Sequence, residues 1–326
     1  MNGVPVKIAG FVAILALVLG GALAVGAAVG PVVGITAAAP EHQADTADHP
    51  AAGAGHDDGG TPQATAAPVA AGLAISQDGY AFTPETTSLT PGRQQDFRFR
   101  ITGRDGQPVR DYVKEHDKDL HLILVRRDLS GFQHLHPTMA PDGTWSIPLT
   151  VAEAGEYRAF ADFAPAGGQG LTLGVDLHAP GDYAPEPLPA PARTAEVDGY
   201  RVELSGRLVA GEASDLTLTV SRASGPVTDL EPYLGAYGHL VALRDGDLAY
   251  LHVHPHGATG DRTTRAGPTI GFTAEVPSAG TYRLYLDFKH DGVVRTAEFT
   301  ATTGAAASAV QATPSSAHDA DGQPDQ

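Results

Sequence analysis

Two stretches of the chain, about 71–179 and 195–303, alternate apolar and polar positions with a period of two. In the first, Phe97, Phe99 and Ile101 are separated by polar residues, and Tyr157, Ala159, Ala161 and Phe163 repeat the pattern. In the second, Leu216, Leu218 and Val220 alternate, as do Tyr282, Leu284, Leu286 and Phe288. Successive side chains on a strand point to opposite faces, so each run reads as a strand with one buried face. Turn residues recur every 8–12 positions or so, and neither stretch has a helical period. Some seven short strands per ~100 residues predict an all-β fold of two tandem immunoglobulin-like β-sandwich domains.

A different pattern precedes them. Residues 8–35 carry no charge, Lys7 stands before the run, and the first acid after it is Glu41. A signal-peptide apolar region is ~7–15 residues and a membrane-spanning helix needs ~20, so the length predicts a transmembrane anchor. Ala22-Leu23-Ala24 and Ala37-Ala38-Ala39 are small-residue sites at which the run would instead be cleaved as a signal, giving a secreted protein. The charge flanks place residues 1–7 in the cytoplasm and the bulk of the chain outside it. Residues 36–70 and 304–326 are rich in Ala, Pro, Gly and Asp without apolar periodicity and read as a disordered stalk and tail. Residues 180–194 carry Pro180, Pro185, Pro187, Pro189 and Pro191, the composition of a semi-rigid linker.

The two sandwich stretches are copies of one unit. At an offset of 118, residues 108–137 align with 226–255 without a gap, matching at Pro108/Pro226, Val109/Val227, Asp111/Asp229, His121/His239, Leu122/Leu240, Arg126/Arg244, His134/His252, His136/His254 and Pro137/Pro255. Further on, Gly155, Tyr157, Arg158, Asp162 and Phe163 answer Gly280, Tyr282, Arg283, Asp287 and Phe288. Each copy therefore holds the pattern H-x12-H-x-H-P, with apolar flanks and a turn between, which predicts a hairpin. His134 and His136 share a strand face, as do His252 and His254. An even loop count brings His121 and His239 onto those faces. Opposed Cβ atoms on a sheet are ~4.5–5.5 Å apart, so each trio has the reach to bind one ion through ~2.1 Å metal–nitrogen bonds. The donor set suits Zn(II) or Cu(II), and affinity should fall as imidazole protonates near pH ~6.5. Further candidate ligands are His116, Asp162, Asp287, His256 and His290. The other reading of the trios is structural: half-buried imidazoles tied to backbone carbonyls. Asp162 and Asp287 alternate with Arg158 and Arg283 and have ion pairing as their simpler account.

Composition narrows the chemistry. Lys+Arg is 21 against Asp+Glu 38, a net charge of −17, which argues against nucleic acid as a partner. The absence of cysteine removes disulfides, thiolate metal sites and thiol nucleophiles, and two methionines remove a Met-rich copper carrier. Fourteen histidines remain as the unusual resource; His42, His49, His56 and His318 lie in the low-complexity segments. No carboxylate neighbours His134–Pro137 or His252–Pro255, and neither G-x-S-x-G nor H-E-x-x-H occurs, so the sequence points away from an enzyme, a zinc hydrolase or lyase being the lesser alternative.

The hairpin from Asp119 to Pro137, with His121-Leu122-Ile123-Leu124-Val125 leading to His134-Leu135-His136-Pro137, resembles secreted or membrane-anchored proteins of high-GC bacteria associated with heavy-metal handling. The likeness covers about thirty residues per copy, and the second copy departs from it at Asp247 and Leu248. It implies an extracytoplasmic metal-binding β-sandwich and no named reaction. The expectation is thus a membrane-anchored protein that handles or delivers a divalent metal through two three-histidine sites. A structural or adhesive surface module with incidental histidines is the alternative, and the sequence names no protein partner.

Overall fold

A computed structural model of the chain describes residues 70–304 other than residue 252. The predicted anchor at 8–35 lies outside the described residues. So do the predicted stalk and tail, apart from residues 70 and 304, and the histidines in them. No helix occurs among the described residues, and hence none long and apolar enough to cross a membrane.

The first repeat runs through β1 (Ser76–Gln77), β2 (Tyr80–Pro84), β3 (Gln95–Thr102), β4 (Tyr112–Val113), β5 (His121–Arg126), β6 (Gln133–Leu135), β7 (Thr138–Met139), β8 (Trp145–Leu149), β9 (Gly155–Pro165) and β10 (Leu171–Ala179). The second comprises β11 (Thr194–Val197), β12 (Tyr200–Gly206), β13 (Ala213–Arg222), β14 (Gly225–Pro226), β15 (Gly238–Arg244), β16 (Tyr250–Leu251), β17 (Val253–Pro255), β18 (Thr269–Glu275), β19 (Thr281–His290) and β20 (Val293–Thr302). In the first repeat a sheet ordered β1-β2-β3-β8-β7 faces one ordered β10-β9-β5-β6. In the second, β11-β12-β13-β18-β17 faces β16-β15-β19-β20. Both arrangements follow the ABED and GFCC′ order of immunoglobulin-type sandwiches. Each repeat also has that fold's tyrosine corner: Tyr157 donates to the Glu153 carbonyl at 2.8 Å, and Tyr282 to that of Ser278 at 2.9 Å.

The alternating runs fill the two cores. Phe97, Phe99, Ile101, Ala159, Ala161 and Phe163 are buried in the first, and Leu216, Leu218, Val220, Leu284, Leu286 and Phe288 in the second. β5 and β15 differ: His121 to Arg126 is buried throughout, as is Gly238 to Leu243. Leu122 and Leu124 point into their own sandwich, whereas Ile123 and Val125 join Val241, Leu243, Leu248, Phe160, Leu129 and Tyr285 in a third core that both repeats build. Burial on both faces is the physical reason these strands are continuous apolar runs.

This third core has an approximate twofold relation, because repeat-equivalent residues meet crosswise. Phe132 stacks on Tyr285 with centroids 3.9 Å apart, and Phe160 packs on Tyr250 at 5.7 Å. The Tyr285 hydroxyl donates to the Leu129 carbonyl at 2.7 Å. The segment leading into the first repeat is held in the same place. Arg158 donates to the carbonyls of Gly72 and Leu73, and the Tyr250 amide donates to the Ala71 carbonyl at 2.9 Å. Gly72 has φ +75°, and a Cβ there would stand 2.5 Å from the Phe160 ring, so glycine is required. The proline-rich segment is docked as well as extended: Leu188 packs against the third core, and buried Arg126 pairs with Asp128, Glu153 and Glu186.

Candidate metal centre

β5 and β6 pair as Ile123↔His134 and Leu122↔Leu135. Those pairs share a constant residue sum, which sets His136 opposite His121, so all three histidines lie on one face. It is the face that carries Ile123 and Val125, and it is covered by the second repeat. One ligand nitrogen from each of His121, His134 and His136 falls within 4.8 Å of the others. Ring centroids are 5.2 Å apart for His121 and His134, 5.1 Å for His121 and His136, and 4.8 Å for His134 and His136.

The outward nitrogens are already committed. His121 Nε2 lies 3.0 Å from the Glu115 carbonyl, which only accepts, so that nitrogen carries the proton. His134 Nδ1 lies 2.8 Å from Asp287 Oδ2, again an acceptor when ionised. The remaining nitrogens, His121 Nδ1 and His134 Nε2, face one another at 3.0 Å. Two facing lone pairs require something between them, either an added proton or a cation. Two ~2.1 Å bonds at a tetrahedral angle set ligand nitrogens about 3.4 Å apart, so an ion fits after a slight opening. The third histidine agrees: His136 Nε2 is buried with no hydrogen-bond partner among the described residues, an arrangement that ordinary packing avoids.

Electrostatics keeps the His121 and His136 rings in their binding form. Burial, reinforced by the neighbouring His134, lowers the pKa of His121 to about 4 against the opposing pull of its bond to Glu115. Burial and the His134 and His121 rings lower His136 to about 2. Proton competition at these two rings is thereby displaced well below the pH ~6.5 of free imidazole.

The second repeat supplies the rest of the wall. His239 donates from Nε2 to the Tyr233 carbonyl at 2.8 Å, repeating the His121–Glu115 contact, and burial lowers its pKa to about 4. Both carbonyls belong to equivalent tight turns, Glu115–Lys118 and Tyr233–Ala236, each closed by two backbone hydrogen bonds and each with positive φ at its two central residues. Such turns need φ > 0 twice, which suits Asp117 and Gly235, while Leu234 takes the same conformation against its own preference. A cavity of ≈ 270 Å3 lies between the repeats, lined by residues that include Glu115, His116, His121, His134, Asp162, His239 and Tyr250.

The remaining candidates separate. His116 lies at the cavity, its ring 5.0 Å from His239 and 6.1 Å from His121. Asp162 accepts from Thr172 at 2.8 Å, and Asp287 accepts from Thr296 at 2.6 Å as well as from His134. Neither aspartate forms the expected ion pair. Arg158 turns to Asp176 and Arg283 to Glu298, because each arginine reaches the next strand over. His290 uses both nitrogens elsewhere, on Tyr200 and Asp229, and His256 bonds Thr273. These two do not join the trio. His178 pairs with Glu156 on the surface. In the second trio, residue 252 and the side chain of His254 lie outside what the structure describes. The His254 backbone pairs with Thr273 in the sheet opposite that of His239. Nothing local in the sequence marks Asp287 and His239 as parts of the first repeat's centre; their repeat-equivalence to Asp162 and His121 is the signal that could have found them.

Among solved structures, the chain is similar to the Escherichia coli adhesin FdeC, with 15% identity over 71% of this chain and 66% of that one, at a TM-score of 0.24. It is similar to Yersinia pseudotuberculosis InvD at 13% identity over 74% and 62%, with a TM-score of 0.23. Invasin, a bacterial integrin-binding protein, gives 14% identity over 70% and 39%, with a TM-score of 0.20. The chain thus spans less than two thirds of each, and similarity this low says nothing of function. No curated protein matches the chain. A family model, described as a domain of unknown function, matches twice, over residues 75–181 and 195–305, in step with the two sandwiches. By those two matches the chain belongs to the DUF8832 family.

Proposed function

We propose that the protein holds a divalent transition metal, Zn(II) or Cu(II), on the exterior of the cytoplasmic membrane. Its role is metal handling or delivery rather than catalysis. The observation that carries the reading is the buried, unpartnered Nε2 of His136 beside two imidazoles whose outward N–H groups are already bound. Ligating histidines commonly give their second N–H to a carbonyl or carboxylate in this way, which fixes the tautomer and raises ligand basicity. The second trio, His239, His252 and His254, is the proposed counterpart in the other repeat. Extracytoplasmic placement rests on the uncharged run at 8–35.

Calorimetric titration of the full chain with Zn(II) and Cu(II) at pH 7.5 tests this. Binding tighter than about 100 μM, lost at one equivalent in the His121→Ala/His134→Ala/His136→Ala variant, is expected, since scattered surface histidines already reach the weaker range. Absence of such binding would leave the histidines structural. The rival reading is an adhesive surface module. Its support is the likeness to FdeC and invasin, whose TM-scores of 0.24 and 0.20 are too low to carry it. An adhesive module would show a melting temperature indifferent to metal.

A further inference from the structure

We infer that Asp287, carried by the second repeat, is the positioning residue of the first repeat's histidine centre, so that metal uptake and the docking of the two repeats form one coupled equilibrium. This rests on the metal-binding reading above and extends it across the interface.

The contact is specific. Asp287 is 3% exposed, and its Oδ1 is held by the Thr296 hydroxyl, leaving Oδ2 to His134 Nδ1. That bond decides which nitrogen of His134 presents a lone pair to His121 and His136. Within the first repeat the equivalent aspartate cannot do this. Asp162 is the direct cross-strand neighbour of His121, yet it accepts from Thr172 and, at 3.5 Å, from Tyr250 of the other repeat. Each repeat's aspartate is thus reached by the other repeat. A buried carboxylate is costly unless charge or hydrogen bonds answer it, and a dication on His134 would answer Asp287 directly. Metal therefore strengthens the very contact that orients its ligand. By linkage, the factor by which metal strengthens docking is the factor by which docking strengthens metal binding, so a variant that populates the undocked state weakens uptake.

The test uses the full chain and four forms: wild type, Asp287→Asn, Asp287→Glu and Tyr285→Phe. The last removes the hydroxyl's bond to Leu129 and its contact with Arg283, and touches no histidine. Zn(II) affinity is read by competition with a chromophoric chelator, and histidine tautomers by 15N chemical shifts without metal. Asp287→Asn is expected to weaken Zn(II) about 10–100-fold and to shift His134 away from the Nδ1–H tautomer, with partial recovery in Asp287→Glu. Tyr285→Phe is expected to weaken Zn(II) several-fold, with Zn(II) raising its melting temperature correspondingly less. Wild-type affinity in both Asp287→Asn and Tyr285→Phe, within twofold, overturns the inference while the metal site stands. A wild-type chain that takes up no Zn(II) overturns the metal-binding reading itself, and this inference with it. Should Asp287→Asn fail to fold, Tyr285→Phe alone decides.

Discussion

His121, His136 and His239 have ring pKa values held at about 4, about 2 and about 4, burial being the largest cause in each case. In the unfolded chain the same rings titrate near ~6.5. Between those values the unfolded chain binds more protons, so folding stability is fully present above pH ~6.5 and is lost as pH falls toward about 4. Metal-free protein is therefore expected to be less stable to urea at pH 5 than at pH 7.5, by about 2 kcal/mol for each of these histidines. Equal midpoints at the two pH values, with equal slopes, would contradict this. Gly72 gives a second expectation at this scale. With φ +75° and Phe160 in the way, Gly72→Ala should cost about 1–3 kcal/mol in urea unfolding.

At the scale of elements, the hairpins and their corners set the geometry. β9 begins at the tyrosine corner, whose Tyr157 hydroxyl is bonded to Glu153, and β9 then carries Asp162 beside His121. Tyr157→Phe leaves a carbonyl without its donor while keeping the ring's packing. A loss of about 1–2 kcal/mol is expected, with unchanged metal affinity, because the corner is remote from the histidine face. Chemical denaturation and Zn(II) titration of the same variant check both halves. The paired turns at Glu115–Lys118 and Tyr233–Ala236 do similar work: each fixes one carbonyl that in turn fixes a histidine tautomer.

For the whole molecule, the third core joins the two sandwiches, so they are expected to unfold in a single transition. Phe132, Tyr285, Phe160 and Tyr250 would be exposed by separation of the repeats. Phe132 is only partly buried, so Phe132→Ala should destabilise the chain by about 2–3 kcal/mol, below the range for deleting a fully buried aromatic side chain. It should also split a single denaturant transition into two. One unsplit transition at lower denaturant would mean that the repeats cooperate without this contact. Saturating Zn(II), at 100 times its Kd, should add about 2.7 kcal/mol to the wild type. That increment should be missing in the triple-alanine variant at His121, His134 and His136, which keeps only what the proposed second trio adds.

The alternating runs made the strands, the repeat and both sandwich cores legible, because period-two burial is a local property that survives in the sequence. The spacing H-x12-H-x-H put His134 and His136 on one face and His121 with them only for an even loop count; the pairing of Ile123 with His134 supplies that count. What covers that face was not local. Ile123 and Val125 read as core residues, but only the tertiary structure showed that their core is shared with Val241, Leu243 and Tyr285. Asp287 lies 153 residues from His134 and meets it because two sheets dock face to face. No periodicity within one chain segment encodes which sheet packs on which. The sequence by itself therefore determines that His134 and His136 share a strand face, whereas the hairpin register adds His121 and the packing of the repeats decides that this face is covered and answered by a carboxylate from the other half, because both depend on pairing between distant segments.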